Sequence, residues 1–137
     1  MAKNSKLLFW FFLPLIILGY NQDCRAQKPG VTDDIISAIK AGDAGRISAH
    51  FHTAIDLTVP GSAGIYSKNQ AQQILKVFFK DHKVTSFEIK FKGNSKDGSN
   101  YAIGELKCGL ERFRVYFLVK PTNSVNLIHQ LQIEKEE

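Results

Sequence analysis

The chain has 137 residues, 44% of them hydrophobic, with 18 Lys and Arg against 13 Asp and Glu, a formal charge of +5. That length is one domain's worth of protein. The basic excess is too mild to argue for a nucleic-acid partner, and none is expected. Two cysteines, Cys24 and Cys108, allow at most one disulfide, so a disulfide-stapled scaffold is excluded.

The first 26 residues read as a targeting segment. Lys3 and Lys6 form a short basic start, and "LLFWFFLPLIIL" (7–18) is an apolar run interrupted only by Pro14. A membrane-spanning helix needs about 20 such residues, whereas the apolar part of a secretory signal needs about 7–15. "NQDCRAQ" then places Cys24 and Ala26 at the small positions before the bond to Gln27. The reading is a cleaved signal over 1–26 and a mature chain 27–137, exported to the periplasm or the medium, with no membrane span after removal of the signal. The rival reading, a lipoprotein anchored through Cys24, suffers from Asn21, Gln22 and Asp23, where a lipoprotein signal has small apolar residues. Cleavage removes Lys3, Lys6, Arg25 and Asp23 and leaves 15 basic against 12 acidic side chains, or +3. It also leaves Cys108 alone, expected as a small buried hydrophobe rather than a nucleophile.

In chain order, "VTDDIISAIKAG" (31–42) predicts a helix with Thr32 as N-cap, Asp33 and Asp34 in its first turn, a buried stripe of Ile35, Ile36 and Ile39, and Gly42 closing it. "DAGRISAHF" (43–51) predicts a second helix capped by Asp43, with Ile47 and Phe51 on one face. "AIDLTVPG" (54–61) alternates Ile55, Leu57 and Val59 with Asp56 and Thr58, the period of a half-buried strand, before Pro60, Gly61 and Gly64 break the chain. In "IYSKNQAQQILKVFFKDH" (65–82), Ser67 and Gln70 form a capping-box pattern. Ala71, Ile74, Leu75, Phe78 and Phe79 follow on one continuous apolar face. His82 falls at the helix C-terminus, where a cation is favoured without any catalytic role.

Four strand-like runs complete the chain: "TSFEIKFK" (85–92), "NYAIGELKC" (100–108), "ERFRVYFLVK" (111–120) and "VNLIHQLQIE" (125–134). In the first, Phe87, Ile89 and Phe91 are expected inside, with Lys90 and Lys92 protecting an edge. Gly109-Leu110 suits a two-residue hairpin loop, so that cross-strand partners sum to 219. Ala102 then faces Phe117, Gly104 faces Val115 and Leu106 faces Phe113 on the inner face. On the outer face Tyr101 meets Leu118, Ile103 meets Tyr116, and Glu105 pairs with Arg114. Small residues opposite large ones suit a sheet bent around its core. Tyr101, Ile103, Tyr116 and Leu118 make the outer face too apolar for solvated sheet, which marks it as a contact surface and a homodimer interface. The fold class is α+β: three helices packed on a strongly curved antiparallel sheet, one domain with its core over 31–134.

"GIYSKNQA" (64–71), "YAIGEL" (101–106), "FRVYFLVK" (113–120) and "LIHQLQIE" (127–134) resemble the bacterial domain of unknown function 4783 family, within the nuclear-transport-factor-2-like superfamily of cystatin-like α+β cones. The resemblance implies a ligand position between helices and concave sheet, and says nothing about which ligand. Tyr66, Phe78, Phe117 and His129 are the candidate lining, suited to a small apolar or amphipathic ligand.

An isomerase-like site needs a carboxylate or histidine base facing a donor across an apolar pocket. Asp56, His129, Tyr66 and Tyr101 are the available groups. His129 shares strand parity with Leu127, Leu131 and Ile133 and so is expected on the buried face, while Asp56 is expected to face water. "HFH" (50–52) straddles an expected helix end and has no third ligand near it in sequence, so no metal is expected. No glycine-rich phosphate loop or nucleophile elbow occurs, and no cofactor is expected. The leading reading is a non-catalytic ligand-binding or protein-interaction module. The alternative is a small lyase or isomerase with His129 as acid–base group.

Overall fold

The computed structural model describes residues 30–137. The expected signal segment, with Cys24 and the expected cleavage site, lies outside the described residues. The elements are α1 (Val31–Ala41), α2 (Ala44–Ser48), β1 (Phe51–Val59), β2 (Ser62–Ser67), α3 (Lys68–Asp81), β3 (Ser86–Asn94), β4 (Asn100–Cys108), β5 (Glu111–Thr122) and β6 (Val125–Glu136). All six strands form one sheet in the order β2-β1-β6-β5-β4-β3. The three helices pack on its inner face, α3 lying against β1, β2 and α2.

Local chemistry sets most boundaries. Gly42 ends α1 at φ 62, and its N–H bonds back to Ile39. That left-handed conformation costs glycine nothing and would strain a side chain. Thr32 is not the cap expected for α1: the helix begins two residues earlier than a Thr32 cap would start it, with Gly30 at the N-cap and no side-chain cap. Asp43 does cap α2, its Oδ1 accepting from the Arg46 N–H at 3.1 Å. That helix stops at Ser48 rather than continuing to residue 51, because Phe51 starts β1 and buries its ring in the core. The α3 capping box is complete. Gln70 N–H donates to Ser67 Oγ at 3.3 Å, and Ser67 N–H donates to Gln70 Oε1 at 3.2 Å.

The β4–β5 register is the expected one throughout, from Asn100 opposite Val119 to Cys108 opposite Glu111. Ala102, Leu106, Phe113, Val115 and Phe117 fill the inner face with Ile55, Leu57, Leu75 and Phe78. Burying each large side chain contributes about 1.5–3 kcal/mol. Gly104 has a specific reason to lack a side chain: the Phe87 ring and the Glu88 carbonyl occupy the space where its Cβ would stand. Cys108 is buried, and burial pushes its thiol up, with Glu111 adding.

Three features depart from the meander that the sequence suggests. Residues 62–67 form β2 and pair with β1, where a break is expected. β6 pairs in parallel with β1, so the sheet is mixed. The register also shifts in β3 between Ile89 and Phe91, in β6 between Ile128 and Gln130, and in β1 between Phe51 and Asp56. Such shifts bend a strand and turn the residues beyond onto the other face.

Candidate functional site

Two expected positions are corrected by those shifts. Phe91 sits opposite Ile103 on the outer face, 55% exposed, rather than inside with Phe87. His129 is the unpaired residue of the β6 bulge: Leu118 faces Gln130, and Val119 already faces Ile128. Ile128, Leu131 and Ile133 are therefore the buried residues, and His129 lies on the outer face. There its Nε2 is 2.8 Å from Thr122 Oγ1, and its ring stacks on His52 with centroids 4.3 Å apart. Burial holds His129 below the usual histidine value, with His52 and Lys120 adding.

The candidate pocket residues are not brought together. Phe117 is 1% exposed, inside the core. Phe78 is buried edge-on against Phe79 and Phe113, with centroids 5.3 Å from each. Tyr66 packs half-buried against the same core. His129 is on the far side of the sheet. The space between helices and concave sheet, where those residues were expected to line a pocket, is filled by side chains of the core. A cleft of ≈ 380 Å³ lies instead beside α3 and the β1–β2 turn, lined by Val59, Pro60, Ile74, Val77, Phe78 and His82 among others. Of the four candidates it contains Phe78 alone.

His82 caps the C-terminus of α3, as its place in the sequence suggests, and its ring lies against Phe78 and Phe113. Its Nδ1 is 3.3 Å from Glu111 Oε1, close enough for an ion pair but not aligned for a hydrogen bond. Glu111 Oε2 receives Lys135 Nζ at 3.2 Å. The Lys135 hydrogen bond, followed by the Lys135 and His82 charges, holds the Glu111 carboxyl below its usual value. This cluster ties α3 to the sheet. Asp56 is exposed, as expected, and offers no base to an interior site.

The outer face carries the apolar chemistry. Tyr101 opposite Leu118 and Ile103 opposite Tyr116 form two adjacent cross-strand pairs, all four half-buried. Phe91 extends the patch, its ring 6.0 Å from Tyr101, which in turn lies 6.3 Å from Tyr116. The Tyr101 ring also lies over Gly93, filling the place a side chain would take. Burial pushes the Tyr116 hydroxyl above its usual value, with Tyr101 adding. A shallow depression of ≈ 230 Å³ opens between Ile103, Arg114, Tyr116, Gln132 and Glu134. Glu105 and Arg114 are opposed in register as expected, but the ion pair runs from Glu105 to Lys107, at 3.6 Å. Phe91 and His52 are the members of this face that sequence reasoning missed. Nothing in the alternation of "FEIKF" marks a bulge, whereas "HFH" read as strand would have put both histidines opposite the buried Phe51.

The architecture defines the class: a cystatin-like, nuclear-transport-factor-2-like α+β cone, three helices on one face of a curved six-stranded sheet. The chain belongs to the DUF4783 family, described as a domain of unknown function, whose model matches residues 32–134. It is similar to a DUF4783 protein of Bacteroides uniformis at 28% identity, over 79% of this chain and 99% of that one, with a TM-score of 0.73. A DUF4783 protein of Bacteroides ovatus is similar at 26% identity, over 80% and 99%, also at 0.73. A cystatin-like domain of Nostoc punctiforme shares the fold at 13% identity, over 76% of this chain and 72% of that one, at 0.61. No curated protein matches.

Proposed function

We propose that the protein is an exported, non-catalytic interaction module that works as a homodimer through its outer sheet face. The observation that carries this reading is the pairing of a filled inner face with an apolar outer one. A fold that closes its concave side with Phe113, Phe117 and Leu106 has little room there for a substrate. The same fold leaves Phe91, Tyr101, Ile103, Tyr116 and Leu118 partly or well exposed on the opposite side. A contiguous apolar patch of that kind marks an interaction surface. Tyr and Phe are enriched in interfaces, and charge is depleted at their centres. Here Arg114, Glu105 and Lys107 stand towards one end of the patch and Lys120 towards the other.

The occupant is a second copy, related by a two-fold axis so that the patch meets itself. Ile103→Asp tests this by placing a carboxylate in the middle of the contact, where desolvation is costly. The variant is expected to be a folded monomer by circular dichroism and light scattering. A variant still dimeric would remove this face from the interface. The lyase or isomerase reading gains no support from the geometry, because His129 faces Thr122 and His52 rather than an apolar cavity. Export rests on the basic start and apolar run of residues 1–18. Among the described residues no helix is long and apolar enough to cross a membrane.

A further inference from the structure

At the Lys120 end of the outer patch, two imidazoles stack nearly face to face. The rings of His52 on β1 and His129 on β6 have centroids 4.3 Å apart and planes within 17° of parallel. They meet at an irregular join in the sheet. β1 pairs Phe51 with Ile128 and next Asp56 with Gln130, so residues 52–55 of one strand stand against residue 129 of the other. Few backbone hydrogen bonds can cross such a stretch, which leaves side chains to hold it.

Each ring is tethered. His52 Nδ1 lies 3.1 Å from the Ala54 carbonyl oxygen and, when protonated there, donates to it. His129 Nε2 meets Thr122 Oγ1 at 2.8 Å. Just before the gap, Ile128 N–H donates to the His50 carbonyl at 2.6 Å. Neutral imidazoles can stack as ordinary aromatic rings. Protonating both places two like charges about 4 Å apart, with their repulsion undiminished by any counter-charge in the stack.

The charges that act on His129 make acid worse rather than better. Lys120 on β5 adds positive charge at His129. His50 precedes β1, and Asp56, opposite Gln130, is the carboxylate next along this face. Among the described residues neither imidazole of the stack is in an ion pair with a carboxylate, in contrast to His82 with Glu111.

We propose that the stacked His52–His129 pair is a proton-operated latch on the β1–β6 seam, closed when the rings are neutral and loosened when acid charges them. The direction follows from which state binds protons better. His129 is held below its usual value in the closed seam, so the opened seam takes up the proton more readily. The latch is then at full strength above the free-histidine pKa of about 6.5 and weakens as pH falls through that value towards the closed-state one. The proposal does not depend on dimerisation. Its consequence for the outer face is a change next to Leu118, whose partner Gln130 adjoins the bulge.

The test uses the full mature chain and His52→Phe, in which a phenyl ring can keep the stack and cannot be charged. Amide exchange of Ile128, corrected for the intrinsic effect of pH, is compared at about pH 7.5 and 5.5, on either side of the histidine range. Wild type is expected to lose protection at the lower pH, by up to about tenfold per histidine, since pH 5.5 lies about one unit below the free-histidine value. His52→Phe is expected to flatten that loss and to move the NMR titration of His129 upward, towards the free value. An unchanged His129 titration together with an unchanged pH dependence at Ile128 would overturn the latch. Should His52→Phe fail to fold, His52→Gln can still donate to the Ala54 carbonyl without titrating, and it carries the same two readouts.

Discussion

Gly104→Ala tests whether the curved sheet is closed by the contact between β3 and β4. A Cβ at Gly104 would stand 2.6 Å from Phe87 Cε2, 2.9 Å from Phe87 Cζ and 2.8 Å from the Glu88 carbonyl oxygen. Carbon atoms at optimal separation sit about 3.5–4.0 Å apart, so the methyl must displace its neighbours by close to an ångström. Phe87 is buried, and its ring can move only into a filled core. The Glu88 carbonyl belongs to the β3 ladder and can move only with the strand. Replacing a strand glycine by alanine recovers about 0.5–1 kcal/mol of backbone entropy, but overpacking of this kind costs about 1–3 kcal/mol. Because one of the blocked atoms is backbone, we expect an overpacking cost in the upper half of that range and, after the recovered entropy, a net loss of about 1–2 kcal/mol. Urea melts read it directly as a lowered midpoint at unchanged slope. Gly93→Ala is the internal comparison. Its Cβ would meet the Tyr101 ring, a closer clash on paper, but Tyr101 is half-buried and its ring can swing towards solvent. Gly93→Ala should therefore cost less than Gly104→Ala. Equal stability of Gly104→Ala and wild type would refute the reasoning, because it would mean that Phe87 does not lie over Gly104.

Two further expectations follow from the charges and the N-terminus. The Glu111 carboxylate is held below its usual value mainly by Lys135, so it stabilises the fold above about pH 4.5, and that contribution is lost as pH falls through its depressed pKa. The stability gap between wild type and Glu111→Gln should accordingly shrink below about pH 4.5 in urea melts, and parallel curves down to acid unfolding would contradict the assigned pairing. Exported protein should begin at Gln27 by N-terminal sequencing, whereas an acylated Cys24 would make it an anchored lipoprotein.

Where one local signal decides, the sequence was readable. Ser67 and Gln70 marked the start of α3, and the Gly109-Leu110 loop set every β4–β5 pair and with it the outer patch. What escaped depends on events without a local mark. β2 is six residues long with glycine in its middle and pairs with β1 across Pro60-Gly61, so it resembles a loop until its partner is known. The parallel β1–β6 pair joins opposite ends of the domain, a contact no spacing rule announces. The bulges are the most costly omission. One extra residue in β3 carried Phe91 outward, and another in β6 did the same to His129, because strand parity holds only while the ladder is unbroken. The candidate acid–base residue was thus assigned to the wrong face by a single inserted residue. The β3 bulge gave the outer face its exposed Phe91, and the β6 bulge placed His129 beside His52.

The central claim, that the outer sheet face joins two copies of the chain, is tested most directly by sedimentation velocity of the unmodified mature protein across a dilution series. The account predicts a dimer at micromolar concentration, dissociating only on further dilution. A wild-type chain that sediments as a monomer at micromolar concentration and above would contradict it, and would leave Phe91, Tyr101, Ile103, Tyr116 and Leu118 as cross-strand pairs that stabilise a single domain.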